Sequence, residues 1–272
     1  MTRIALLQMT SGIEPEGNGT AIEAAMAEAA EGGARILFTP EMALLLDRDR
    51  RRAAEWIGGE GPAAMIARLG ERARDLGIDL ALGSLPVAVS SGKFANRSVY
   101  LAADEGSPVT YDKIHMFDVE LSTGESWRES NAYEAGREVI TVEDTPFGRL
   151  GLAVCYDLRF PALFGALGDR RCDAIAVPAA FTVPTGEAHW HVLLRARAIE
   201  ASAFVIAAAQ VGAHEDGRDT YGHSLVVDPW GEVLLDMGDK GPSLGFCDID
   251  LASIDEVRAQ VPSLANRREI AK

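Results

Sequence analysis

The sequence predicts a layered α/β fold with mixed sheets, and three observations carry that expectation. Short β-like apolar runs alternate with helical patterns through the first two thirds of the chain, and two later runs are almost continuously apolar, as central strands are. A hairpin turn joins two consecutive strands, so the sheet is expected to be mixed and not purely parallel.

In chain order, residues 4–9 read as a strand, 21–30 as a helix, 36–38 as a strand, 62–76 as a helix and 80–89 as a strand. Ser90-Ser91-Gly92-Lys93 supplies the hairpin turn into a strand over 97–102, and 109–114 forms another short one. The apolar runs 149–155 and 173–177 are the central strands. A short helix between them begins at Pro161, a residue suited to a helix's first turn. A helix is expected over 187–202, then strands over 204–210, 224–227, 232–235 and 244–249, with Asp228-Pro229-Trp230-Gly231 as a tight turn. From Leu251 the chain reads as a helix and then a tail, and no repeat period indicates a solenoid.

The 272 residues, 47% apolar and without a long polar tract, suit one domain spanning 1–272 with a sizeable core. The balance of 26 Lys+Arg against 41 Asp+Glu gives a net charge of -15, which repels phosphate backbones and anionic lipid and argues against nucleic-acid and membrane partners. The apolar stretch at the amino terminus is too short for a secretion signal, and no run approaches the ~18 apolar residues of a membrane span. A cytoplasmic protein is expected. Cys155, Cys172 and Cys247 are odd in number and far apart, so neither a disulfide framework nor a thiolate metal site is indicated. Asn96-Arg97-Ser98 matches the glycosylation pattern, but without a secretory route the match is read as chance.

Cys155 closes the apolar run Leu150-Gly151-Leu152-Ala153-Val154 and is followed at once by Tyr156-Asp157-Leu158-Arg159-Phe160-Pro161. One thiol at the end of a buried strand sits where open α/β sheets place their chemistry. Position alone leaves two alternatives, nucleophile or buried packing residue. Glu41 and Lys113 also stand at the ends of apolar segments. Together they suit attack on a carbonyl: the ammonium lowers the thiol pKa and steadies an oxyanion, and the glutamate shuttles the proton. Phosphate loops and metal clusters are missing from the pattern; His189 and His191, two apart on a helix, face different directions and cannot clasp one ion. Cys172 and Cys247 are expected to be inert core thiols.

Thr39-Pro40-Glu41-Met42, Tyr111-Asp112-Lys113-Ile114-His115 and the stretch from Gly151 through Cys155 to Pro161 resemble, in order, the signatures of the nitrilase superfamily of carbon-nitrogen hydrolases. The resemblance runs from about Arg3 to the tail. Within the superfamily the chain is most similar to the deaminated glutathione amidases, through Glu129-Ser130-Asn131, the stretch Ala188 to Glu200, Ala208-Ala209-Gln210 and the segments from Tyr221 to Gly231.

This resemblance implies a four-layer α-β-β-α sandwich and a cofactor-independent amidase. Cys155 is the nucleophile, Lys113 and the backbone N–H of Tyr156 hold the oxyanion, Glu41 moves protons, and Glu129 orients the lysine and the hydrolytic water. The implied substrate is a small anionic amide, deaminated glutathione, cleaved to 2-oxoglutarate and cysteinylglycine. An omega-amidase acting on 2-oxoglutaramate and an N-carbamoyl-amine hydrolase are the neighbouring alternatives. Arg159 is the candidate cation for the anionic substrate, with an ion pair to Asp157 or another acid as the competing reading. Phe181, after the strand 173–177, is a candidate pocket wall or a core residue. Arg195 and Arg197 are assigned to packing or subunit contacts, and the superfamily's habit of pairing predicts a homodimer or higher homo-oligomer through 187–202.

Two readings of another kind remain. A papain-like Cys-His hydrolase would recruit His115 or His223, but the helix after Cys155 is expected only from Pro161, whereas that family rests its thiol on a helix start. A non-catalytic binding protein or thiol sensor would have no use for Glu41, Lys113 and Glu129 together.

Overall fold

Two six-stranded sheets lie face to face in the computed structural model, which describes residues 1–104, 106–120, 124 and 126–268. The chain runs β1 (Thr2–Gln8), α1 (Pro15–Glu31), β2 (Ile36–Phe38), α2 (Arg50–Gly58), α3 (Gly61–Leu76), β3 (Asp79–Ala88), β4 (Phe94–Leu101), β5 (Val109–Asp112), β6 (Asp118–Glu120), β7 (Ser126–Arg128), β8 (Thr141–Thr145) and β9 (Gly148–Leu152). It continues through α4 (Pro161–Asp169), β10 (Ala174–Ala176), α5 (Val183–Ala201), β11 (Phe204–Ala207), β12 (Val211–Ala213), β13 (Asp219–Tyr221), β14 (Leu225–Val227), β15 (Val233–Asp236), β16 (Ser243–Ile249), α6 (Ala252–Gln260) and α7 (Ser263–Asn266).

The first sheet has the order β16-β1-β2-β3-β4-β5 and the second β15-β14-β11-β10-β9-β8. In each, three parallel strands form the middle, β1-β2-β3 and β9-β10-β11, with antiparallel strands outside them. The mixed character expected from the hairpin is thus present twice.

Side-chain alternation explains the layering. Ile4, Leu6, Ile36, Phe38 and Ala81 point into the core shared with the second sheet, whereas Ala5, Leu7, Leu37, Leu80 and Leu82 point outward beneath α1 and α3. Both faces of these strands are buried, so they read as continuous apolar runs rather than as an alternating pattern. On the far side Leu163, Phe164, Leu167, Leu194 and Ala198 bring α4 and α5 onto the second sheet. Phe38 and Phe147 stack across the central interface with ring centroids 6.1 Å apart. The result is a four-layer α-β-β-α sandwich.

Local differences from the expectation have physical causes. Helix α2 went unrecognised because its apolar content is low; Asp49 starts it by accepting the N–H groups of Arg51 and Arg52. Helix α1 begins at Pro15, six residues before the expected 21, because Gly17 and Gly19 hide it from propensity; Gly17 faces open space, whereas at Gly19 a Cβ would stand 2.7 Å from the Met65 sulfur. The strand before Cys155 ends at Leu152, and the cysteine opens a 3-10 helix, Cys155–Arg159. The thiol therefore does rest on a helix start, contrary to the expectation that no helix begins before Pro161. The short hairpins β6-β7 and β12-β13 have three-residue arms, too short to show a period. The expected tail falls partly on residues 269–272, outside the described residues.

Candidate active site

Glu41, Lys113 and Cys155 follow β2, β5 and β9 and come together at the carboxyl ends of those strands. Each is held by local structure. The Thr39-Pro40-Glu41-Met42 segment lies against β3: the Met42 N–H donates to Ser84 Oγ at 3.0 Å, and the Ser84 N–H to the Pro40 carbonyl at 3.2 Å. Gly83 permits this approach, since a Cβ there would be 2.1 Å from the Thr39 oxygen. Lys113 is clamped from both sides, its N–H donating to the Asn96 carbonyl and its own carbonyl accepting from Gly136. Cys155 adopts a left-handed φ of 49°, anchored by its N–H donating to the Pro178 carbonyl at 2.9 Å. A non-glycine residue in that region is held there by its surroundings, and such residues concentrate at active sites.

The side chains form one hydrogen-bonded cluster. Lys113 Nζ donates to Glu41 Oε1 at 3.0 Å and to both Glu129 oxygens at 3.0 and 2.9 Å. Asn96 Nδ2 donates to Glu41 at 2.9 Å and to Glu129 at 3.3 Å, bridging the two carboxylates. Backbone donors complete the shell: Phe117 N–H to Glu129 at 2.6 Å and Ala180 N–H to Glu41 Oε2 at 3.0 Å. Lys113 is 2% exposed, Glu41 5% and Cys155 8%, so two acids and one base share a nearly dry site. Charges this buried persist only when paired and hydrogen-bonded, which this arrangement provides.

The electrostatics correct one expectation. Burial pulls against the Lys113 ammonium, but Glu129 and Glu41 outweigh it and hold its pKa well above the ordinary value. Cys155 is not lowered by that ammonium. Burial first and Glu41 second push the thiol well above the usual cysteine value, and the pull of Lys113 does not overcome them. The resting group is a thiol beside a base. Cys172 and Cys247, pushed by burial up to about 12 and about 11, are buried free thiols, as expected of inert core residues.

Asp157 ties the cysteine turn to the lysine segment. Fully buried, it accepts from the Val154 N–H, the Tyr111 hydroxyl, the His115 N–H and the His115 ring. It is therefore committed elsewhere, and Arg159 does not pair with it. Arg159 lines the cavity instead, its guanidinium 5.3 Å from the Phe181 ring and 5.9 Å from Tyr156, with Nη1 3.2 Å from His189 Nδ1. Among the described residues it makes no ion pair. Phe181 is both wall and core: it lines the cavity and packs on Trp190 at 4.8 Å. The Tyr156 N–H lies in the first turn of the 3-10 helix, where backbone donors have no partner inside the helix.

The histidines of the Cys-His alternative are engaged elsewhere. His115 stacks on Phe160 at 3.6 Å and holds Asp157, and His223 bonds Asp236. Arg197 is buried, donating to the Leu158 carbonyl and Glu200, and Arg195 donates to the Gly231 carbonyl, as expected of packing residues. Asn96, Asp157 and Gln210, whose Nε2 donates to the Glu41 carbonyl at 3.0 Å, were not foreseen as parts of the site. Their signal was available in principle: each is a polar residue set in an apolar or strand-end segment, and such residues must find partners once buried.

A carbon-nitrogen hydrolase profile matches residues 3–259. The chain belongs to the carbon-nitrogen hydrolase family. As a family member it is a hydrolase acting on carbon-nitrogen bonds. It is 41% identical over 273 residues to the deaminated glutathione amidase of Yersinia enterocolitica, covering 98% of this chain and 93% of that one. The bovine protein of the same name is 38% identical, covering 97% of this chain and 81% of that one. Among solved structures, the Caenorhabditis elegans NitFhit protein superposes with a TM-score of 0.91 at 37% identity; the match covers 98% of this chain and spans 65% of that longer one. A mutant amidase from Nesterenkonia sp. AN1, TM-score 0.79 at 28% identity over 96% of this chain and 98% of that one, carries acrylamide added at its active site cysteine.

Proposed function

We propose that this hydrolase cleaves deaminated glutathione to 2-oxoglutarate and cysteinylglycine through a thioester on Cys155. The observation that carries the reading is the buried Glu41–Lys113–Glu129 cluster on the same cavity wall as the Cys155 thiol. Substrate binding brings the amide carbonyl over the sulfur. Cys155 Sγ attacks the carbonyl carbon as its proton passes to Glu41, so a thiol that is neutral at rest is deprotonated only when it reacts. The oxyanion is held by Lys113 Nζ and the Tyr156 N–H. Collapse expels the amine, which takes the proton from Glu41, and leaves the thioester. A water molecule, giving its proton to Glu41, then attacks the thioester and releases the acid and the thiol. Glu129 and Asn96 keep the ammonium and Glu41 in register.

The substrate assignment draws on two supports. Relatives that share 37–41% of their residues with nearly all of this chain bear the name deaminated glutathione amidase. Arg159 offers the cavity a guanidinium for a carboxylate, in a protein whose net charge of -15 would otherwise repel an anion. Further parts of the proposal are a homodimer and a cytoplasmic setting. The carboxyl half of α5 leaves Ile199 exposed beside Trp230, an apolar patch suited to a second copy, and three free thiols suit a reducing compartment. Among the described residues no helix is long and apolar enough to cross a membrane.

The test is release of 2-oxoglutarate from deaminated glutathione and from 2-oxoglutaramate, side by side, with Cys155→Ala as control. A higher kcat/KM for the tripeptide analogue is expected. Preference for the primary amide would make the protein an omega-amidase, and turnover by Cys155→Ala would remove the thioester mechanism.

A further inference from the structure

Two imidazoles and a carboxylate meet on the surface outside the catalytic cluster. His191 Nε2 lies 3.0 Å from Asp236 Oδ2, and His223 Nδ1 lies 2.9 Å from Asp236 Oδ1. One donor atom from each of the three residues lies within 4.8 Å of the others. They arrive from separate parts of the chain: α5, the turn ahead of β14, and the last residue of β15.

We propose that His191, His223 and Asp236 form a binding site for one divalent transition-metal ion of the Zn2+ class. Two imidazole nitrogens and one carboxylate suit such ions, whereas Ca2+ and Mg2+ demand more oxygen ligands than this site offers. A tetrahedral ion with ligand bonds of about 2.0–2.2 Å holds its donors about 3.3–3.6 Å apart. The imidazoles contact different oxygens of Asp236, so to share one ion they must draw together while their Asp236 contacts open by a few tenths of an ångström, adjustments within reach of side-chain torsions. Three protein donors leave the fourth position to water.

Contacts behind the donors fix their aim, as the outer ligand shell of a metal site does. His223 has a left-handed φ of 54°, held by its N–H donating to the Gly238 carbonyl at 2.8 Å and its carbonyl accepting from Trp190 Nε1 at 2.8 Å. The Tyr221 ring stacks on its imidazole at 4.4 Å. Asp236 Oδ1 also accepts the Gly238 N–H at 2.9 Å. His189, two residues before His191, turns to Arg159 and takes no part, so the second imidazole comes from across the fold rather than from the same helix. The placement gives the ion a consequence. Trp190 packs on Phe181 at the cavity wall and is hydrogen-bonded to His223, so an ion joining His191 to His223 braces that wall from outside.

The competing account is an ion-free latch in which Asp236 simply accepts an N–H from each imidazole. Zn2+ titration by calorimetry, with Cys155→Ala as the parent protein so that the cavity thiol cannot bind the ion, separates the two. The expected result is one Zn2+ per chain, a rise in Tm on loading, and a tetrahedral visible spectrum when Co2+ is substituted. His191→Gln retains an N–H for Asp236, and with it the latch, but removes a metal donor; it should weaken Zn2+ binding at least tenfold and abolish the rise in Tm. Asp236→Asn should weaken binding likewise, and His189→Ala should leave it unchanged. Equal Zn2+ binding by the parent, His191→Gln and Asp236→Asn would overturn the proposal, as would absence of binding by the folded parent at about tenfold excess of ion.

Discussion

Asp157→Asn keeps the shape of a fully buried side chain and removes its charge. In the native protein Oδ1 accepts the His115 N–H at 3.0 Å and the His115 ring Nδ1 at 2.7 Å, while Oδ2 accepts the Tyr111 hydroxyl at 2.6 Å and the Val154 N–H at 3.0 Å. An asparagine accepts on one side only, and its NH2 must face the donors on the other. The Tyr111 hydroxyl or the His115 ring can reverse roles, but a backbone N–H cannot. Whichever way the amide turns, one buried N–H, of Val154 or of His115, is left without an acceptor, and the surviving bonds lose their charged partner. The cost is about 2–4 kcal/mol of folding stability. Because Val154 precedes Cys155 and Tyr111 and His115 flank Lys113, kcat/KM should fall at least tenfold even in fully folded enzyme. Urea unfolding followed by far-UV circular dichroism measures the first quantity and amide turnover the second. A stability loss below about 0.5 kcal/mol, or turnover within threefold of wild type, would refute the view that Asp157 holds the two segments together.

Two further perturbations probe the cluster itself. Since burial and Glu41 raise the Cys155 pKa, the thiolate fraction at neutral pH lies below that of a free thiol, and alkylation by iodoacetamide should keep accelerating above the pH at which free cysteine levels off. Glu41→Gln removes the anion that raises this pKa, so it should alkylate faster than wild type at pH 7, read by mass mapping of Cys155, while turnover falls at least about 100-fold; slower alkylation would contradict the assigned cause. Asn96→Ala deletes the amide bridging Glu41 and Glu129; if the transition state loses the worth of about one hydrogen bond to a charged group, about 1.5–3 kcal/mol, kcat/KM should drop about 10–100-fold with the circular dichroism spectrum unchanged. Unaltered kinetics would leave Asn96 a bystander.

The local character of this protein was legible in its sequence. The strands over 36–38, 80–89 and 244–249 and the helix over 62–76 were visible because burial on one or both faces writes itself into apolar period. Glu41, Lys113 and Cys155 were visible because each ionisable group sits beside an apolar strand, where it would be costly without a task. What depended on distance in space was not visible. Asn96 looked like a stray glycosylation signal until its amide lay between two glutamates 55 and 33 residues away, and Asp157 looked like a partner for Arg159 until its four donors appeared. The direction of the Cys155 shift also waited on the fold, since a neighbouring ammonium lowers a thiol pKa only when burial and a neighbouring anion do not outweigh it. Sequence determines which groups want partners, through local propensity and the cost of burying polarity; only the packed chain decides which partners they find, because strand pairing and sheet stacking bring together residues that no local pattern relates.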